Sequence, residues 1–203
     1  MHLFHYHLVT SKVRLVEARY VGKLGFDLVA RYGWLGDTSH WFEPGVSWDE
    51  LDEMGFRLRL IELARGAVSV VLQPGHWERP RVDHLGVALD EDGFQEALER
   101  AADLDLKIQD HPGKRTFIVT NAGYRLEVHP PREWIDDTLT RAGELRLAEI
   151  HLLADDPDAK ADAMATVLDA DRDGADVAVG ETIVRFLPDG PEGRPELAAE
   201  VLR

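Results

Sequence analysis

Between Arg81 and Pro130 the chain places a histidine and a glutamate inside two strands where packing calls for neither. Leu85, Val87 and Leu89 alternate with His84, Gly86 and Ala88, the period of two that marks a half-buried strand. His84 therefore leaves the sheet opposite the aliphatic trio. Tyr124 to His129 repeats the arrangement, with Tyr124, Leu126 and Val128 on one face and Arg125, Glu127 and His129 on the other. Between them, Phe94, Ala97, Leu98, Ala101, Ala102 and Leu104 form a helical stripe within Asp92 to Leu104 that can cover the aliphatic faces.

The order strand, helix, then two or three strands, with His84 in the first strand and Glu127 in the last, resembles a βαβββ module of the vicinal oxygen chelate superfamily, which includes glyoxalases, bleomycin-resistance proteins and extradiol dioxygenases. Residues His5 to Gly33 resemble the opening of another such module, down to Leu24-Gly25-Phe26 before the second strand. The resemblance implies an α+β fold of repeated glyoxalase-like βαβββ modules, two of them paired into a U-shaped sheet, plus a shortened third. The expected divisions are 1–78, 79–132 and 133–203, the last opening with a linker helix.

In the first strand, Leu3 to Thr10, parity puts Phe4, Tyr6 and Leu8 on one face and His5, His7 and Val9 on the other. Ser11 is the expected cap of the following helix, which Gly25 ends. Gly36 to Met54 is too long for a plain hairpin and reads as a loop with a short helix. Its Trp41 and Trp48, with Trp34 just before it, form either a lid over a cavity or the cover of a small core. Phe56 to Arg65 and Val68 to Pro74 read as strands, with Val71 in the place that Glu127 holds in the second module. After Pro130-Pro131 a polar helical stretch is expected around Ile135 to Arg141. Arg146 to Leu153, Pro157 to Leu168, Val177 to Leu187 and Glu196 to Leu202 then give strand, helix and strands, with Glu149 where the others have His5 and His84.

Pairing of two modules implies that His5, His84 and Glu127 converge as metal ligands, with His7 open as the alternative to His5. Two imidazoles and one carboxylate suit a divalent ion that also holds substrate: Fe(II) first, then Zn, Ni or Mn. His7 or His129 is expected to move protons, since an unligated imidazole titrates near neutral pH. Arg125 and Gln73 are the expected substrate contacts.

Composition bounds the partners. The chain has 203 residues, 44% of them hydrophobic, enough for one good core or two small ones. A formal charge of −15 disfavours nucleic acid and anionic lipid. No run is long enough to span a membrane and no export signal is expected, so a soluble cytoplasmic protein is the starting expectation. The absence of cysteine excludes disulfide and thiolate chemistry. Asp169, Asp171, Asp173 and Gly174 match the first half of an EF-hand loop, but the twelfth position is Gly180. A small-molecule substrate follows from the resemblance. The leading expectation is an Fe(II) extradiol-type dioxygenase acting on a vicinal diol. The alternatives are a glyoxalase-like isomerase, lyase or transferase, and a metal-free binding protein like the bleomycin-sequestering members. An odd number of modules leaves one unpaired, which implies a homodimer or packing of the third module on the first two.

Overall fold

The computed structural model describes residues 1–111, 115–132, 134, 135, 137 and 145–203. The expected helix around Ile135 to Arg141 falls mostly outside these residues. Three stretches each open with a strand that leads into a helix. The first is β1 (His2–Thr10), α1 (Val13–Leu24), β2 (Asp27–Leu35), β3 (Thr38–Phe42), α2 (Trp48–Glu53), β4 (Arg57–Arg65) and β5 (Val68–Pro74). The second is β6 (Arg81–Ala88), α3 (Glu91–Asp103), β7 (Lys107–His111), β8 (Arg115–Val119) and β9 (Arg125–His129). The third is β10 (Leu147–Leu153), α4 (Pro157–Leu168), β11 (Arg172–Asp173), β12 (Asp176–Val179), β13 (Thr182–Leu187) and β14 (Glu196–Leu202).

Local chemistry sets these boundaries. Gly25 takes φ +67°, where a side chain is disfavoured, and its N–H closes α1 onto Tyr20 O. Ser11 does not cap α1: its hydroxyl instead donates to Trp77 O (3.2 Å), pinning the start of the helix to the link between β5 and β6. Asp90 caps α3 through Gly93 N, and Asp156 caps α4 ahead of Pro157. Gly36 to Met54 is more ordered than a loop with one helix. Thr38–Phe42 returns as a strand against β2, and Ser47 with Glu50 forms a capping box on α2. In the would-be calcium loop, Asp169 is the left-handed C-cap of α4 and Asp173 opens the β11–β12 hairpin.

The strands form one sheet ordered β11-β12-β13-β10-β14-β6-β1-β5-β4-β2-β3, with β9, β8 and β7 branching off that path at β6. Each opening strand pairs in parallel with a later strand of its own stretch, β1 with β5, β6 with β9 and β10 with β13. His5 lies opposite Ser69, His84 opposite Arg125 and Glu149 opposite Ile183. β1 also pairs antiparallel with β6, and β10 pairs the same way with β14. The helices cover the apolar face in one cluster that includes Tyr6, Leu8, Tyr20, Leu85, Val87, Phe94, Leu126 and Met164.

Bulges interrupt the β1–β6 pairing twice, leaving Phe4 extra in β1 and Asp83 extra in β6. A bulge sets two residues against one and so resets the alternation of side chains. Leu3, Tyr6 and Leu8 of β1 thus share the core with Val82, Leu85 and Val87 of β6. Phe4 was expected beside Tyr6 and Leu8. It lies instead on the opposite face, clustered with Ala88 and Ile135. The β10–β14 pair carries the same two irregularities, at Ala148 and Ala198.

Candidate metal centre

The bulged β1–β6 seam brings the histidines together. His7 stands opposite His84, and His5 stands opposite Gly86, whose other neighbour is Glu127. Gly86 is required at this position. A Cβ there would lie 2.7 Å from His5 Cβ, inside contact distance, so only glycine lets the His5 ring sit between the strands. His5, His7, His84, Glu127 and His129 are all buried.

Their polar atoms converge. His5 Nε2 lies 3.3 Å from His84 Nε2, and His84 Nε2 lies 2.8 Å from Glu127 Oε2. Ligand atoms of His5, His7 and His84 also fall within 4.8 Å of one another, and the His7 and His84 ring centres are 4.7 Å apart. These three histidines could hold a metal ion, and Glu127 joins them through His84. Burial, reinforced by His84, pulls the His5 pKa down to about 3 against the opposing charge of Glu127. Burial, His84 and His5 likewise hold His7 well below its ordinary value. Both imidazoles are therefore neutral near pH 7, with lone pairs available. For Glu127, burial favours the acid, but hydrogen bonds from His129 and His84 outweigh it and hold the carboxylate ionised.

This donor set fits a divalent cation. His84 Nδ1 lies 2.8 Å from Asp83 Oδ2, which gives an Nδ1–H its acceptor, while Nε2 faces His5 and Glu127 and is the nitrogen a metal ion would take. A proton shared between His84 Nε2 and Glu127 Oε2 serves their 2.8 Å contact, and a divalent ion could take its place as the positive charge among these donors. First-row ions bond nitrogen and oxygen ligands at about 2.0–2.2 Å, which puts neighbouring ligand atoms about 3 Å apart. His7 Nε2 adds a buried atom with no hydrogen-bond partner among the described residues.

The other expected site residues divide. His129 is fully buried, and its Nε2 is held 2.8 Å from Glu127 Oε1, so it orients the carboxylate and does not line an open surface. Arg125 bonds Asp83 and lies over the Phe117 ring at 4.5 Å, which makes it part of the support behind His84. Gln73 is not brought to the cluster. It is exposed and pairs with Val9, four residues along β5 from Ser69, or roughly 13 Å at the rise of a strand. Ser69 does reach the site, with Oγ 3.4 Å from His5 Nδ1. The tryptophans do not form a lid. Trp34 and Trp41 sit on the outer pair β2–β3, Trp41 being 58% exposed. Trp48 donates from Nε1 to Glu17 on α1 (3.1 Å), on the helix-covered side.

Sequence reasoning missed Asp83 because strict alternation assigns it to the aliphatic face, and only the bulge turns it toward His84. It also missed the aromatic surround. Phe117 lies 5.1 Å from the His84 ring, and Trp134 and Phe4 lie 5.3 and 5.8 Å from that of His129. Arg115 Nε approaches Glu127 Oε1 at 3.9 Å from a half-exposed position. In the third stretch, Glu149 and His151 occupy the places of His5 and His7, but Arg185 stands opposite His151 where Glu127 stands opposite Gly86. Its guanidinium pairs with Asp176 (2.7 Å) and Glu149 (3.5 Å), so a fixed cation already fills that corner.

No family model matches the chain, and no curated protein matches it in sequence. Solved structures match it in shape. A mutant 4-hydroxymandelate synthase from Streptomyces coelicolor superposes with TM-score 0.64 at 13% identity, over 99% of this chain and 70% of that one. A halotolerant catechol dioxygenase gives 0.59 at 14%, over 97% and 68%. The Mn(II)-bound glyoxalase from Novosphingobium aromaticivorans gives 0.54 at 13%, over 97% of this chain and 63% of that one. A fusion protein joining a xylose isomerase-like barrel to a 4-hydroxyphenylpyruvate dioxygenase gives 0.59 at 12%, with this chain spanning 35% of its length. All share one fold, and it is the fold of this chain.

Proposed function

We propose that this chain, which has the vicinal oxygen chelate fold, is a metal-dependent enzyme whose centre is held by His5, His84 and Glu127. The convergence of His5 Nε2, His84 Nε2 and Glu127 Oε2 carries the reading. The proposed module divisions are 1–78, 79–132 and 133–203, with the ligands drawn from the first two. When bound, the ion supplies Lewis acidity toward two adjacent oxygens of a small substrate. His129 keeps Glu127 oriented, and Ser69 steadies His5. His7, neutral and with Nε2 unpartnered among the described residues, is placed to accept a hydrogen bond from a substrate hydroxyl. Phe117, Phe4 and Trp134 exclude water around the centre, and Arg115 is placed to meet an anionic substituent.

The proposed reaction is extradiol-type ring cleavage with Fe(II), because two imidazoles and one carboxylate leave positions for both substrate oxygens and dioxygen. Anaerobic reconstitution with Fe(II), followed by catechols and a measurement of oxygen uptake, tests it. One ion per chain with uptake that His84→Ala abolishes supports the reading. One ion per chain without uptake redirects it to a glyoxalase-like reaction. That second reading is favoured by the all-histidine grouping of His5, His7 and His84. Failure to bind any divalent ion overturns both.

A further inference from the structure

We propose that Asp83, bolted in place by Arg194 from the third stretch, is a positioning residue that fixes His84 with its proton on Nδ1 and its lone pair on Nε2. The proposal rests on the metal-centre reading above and adds that the C-terminal segment sets the quality of that centre.

Asp83 is the extra residue of the β6 bulge, and the bulge is what turns its carboxylate toward the neighbouring His84. The carboxylate is buried and fully engaged. Oδ2 accepts from His84 Nδ1 (2.8 Å) and from Arg125, and Oδ1 accepts from Arg194 (2.7 Å). Arg125 comes from β9, beside β6. Arg194 comes from the segment between β13 and β14, more than a hundred residues along the chain, and that segment is fastened to the start of β6. Val82 N–H donates to Pro195 O (2.8 Å), Leu197 N–H to Pro80 O (2.9 Å), and Arg79 pairs with Glu196 (3.0 Å). Glu196 also opposes Arg81 as the one ladder pair between β14 and β6. Nearby, Gly123 faces the Gly193 backbone so closely that a Cβ there would lie 2.2 Å from Gly193 O.

An imidazole can ligate through Nε2 only if its proton sits on Nδ1, and the partner of Nδ1 decides that. Arg125 on Oδ2 and Arg194 on Oδ1 stop the Asp83 carboxylate rotating away from Nδ1. Without Arg194, Oδ1 loses its partner and the carboxylate gains a free torsion. Asp83 and Glu127 each lie 2.8 Å from one ring nitrogen, so without Asp83 the remaining carboxylate draws the proton to Nε2 and blocks ligation.

The test uses the full chain and Co(II) as probe. Imidazole 15N correlation spectra of the metal-free protein at pH 9 report the His84 proton position directly. The wild type is expected to show Nδ1–H, with loss of that preference in Asp83→Ala. Co(II) affinity is expected to fall about 10- to 100-fold in Asp83→Ala, the usual cost of losing a ligand's support. Arg194→Gln is expected to lose several-fold, and Arg194→Lys to recover part of it. Unchanged proton position in Asp83→Ala, or Co(II) affinity within twofold of wild type in both Asp83→Ala and Arg194→Gln, overturns the proposal. Should Asp83→Ala fail to fold, Arg194→Gln decides by the same twofold criterion. Absence of Co(II) binding by the wild type would sink the metal-centre reading alone, because the 15N measurement still tests the role of Asp83.

Discussion

Gly86→Ala is the smallest change that should damage the centre, and its size follows from one distance. The added methyl would sit 2.7 Å from His5 Cβ, 3.1 Å from its Cδ2 and 3.3 Å from its Cγ. Comfortable carbon contacts are about 3.5–4.0 Å, so roughly 1 Å of overlap must be relieved. His5 Cβ is attached to the β1 backbone and cannot swing aside as a side-chain tip would, so the β1–β6 seam must open. Overpacking of this kind costs about 1–3 kcal/mol, partly offset by the roughly 0.5 kcal/mol that alanine recovers over glycine in the unfolded chain. For a chain of this size each kcal/mol shifts Tm by about 2–4 °C, so metal-free Gly86→Ala should melt roughly 1–10 °C below wild type. Co(II) affinity, measured by isothermal titration, should fall by at least about 10-fold because His5 is displaced. Gly22→Ala is the control. A Cβ there meets nothing within 4 Å, and alanine inside a helix is worth about 0.5–1 kcal/mol over glycine, so that variant should melt higher and bind Co(II) unchanged. If Gly86→Ala matched wild type in both melting and Co(II) affinity, the packing argument for the seam would be wrong.

Arg31→Met should destabilise the fold by about 3–5 kcal/mol, because it leaves buried Glu17 without its guanidinium; a loss below about 1 kcal/mol in urea unfolding would refute this. The same variant should change the near-UV dichroism of Trp48, whose ring lies 4.5 Å from Arg31 and whose Nε1 donates to Glu17. Glu200 occupies in β14 the place that core Leu85 holds in β6, and burial raises its pKa despite the charge of Arg19 and a hydrogen bond from Tyr20. Its protonated form is therefore favoured by folding. The resulting stability is fully present below the unfolded value near 4.5 and is lost as pH rises through the folded value. The Tm of Glu200→Gln minus that of wild type should accordingly grow between pH 4 and pH 7, and a difference that shrinks would refute the sign. Stripping bound metal with EDTA should lower stability by about 2.7 kcal/mol relative to protein held at 100 times Kd, read as a reversible Tm shift restored by readdition.

Much of this architecture is legible in the sequence, since alternation in Leu85–Leu89 and Tyr124–His129 and the apolar stripe of α3 each reflect one-sided burial. The helix Pro157–Leu168 and the strand Glu196–Leu202 follow from the same periodicities. Parity also put His5, His84 and Glu127 on one face, and the structure places His84 within hydrogen-bonding range of both His5 and Glu127. It failed at Phe4 and Asp83, because a bulge arises from how two distant strands pair and leaves no mark in the local alternation of either. Gln73 failed for a related reason. Parity gives the face of a strand but not the distance along it, and only the parallel register of β5 against β1 shows that Ser69 is the residue beside His5. The link from Arg194 to Asp83 joins parts of the chain that no local pattern connects.

The seam between β1 and β6 also bears on how the site is assembled. His5 and His7 belong to one strand–helix repeat and His84 and Glu127 to the next, so neither repeat alone carries a complete grip on an ion. A single unit would need a second copy, fused or associated, to complete the proposed site, and the third stretch, with Arg185 in the place of Glu127, is not built to supply one.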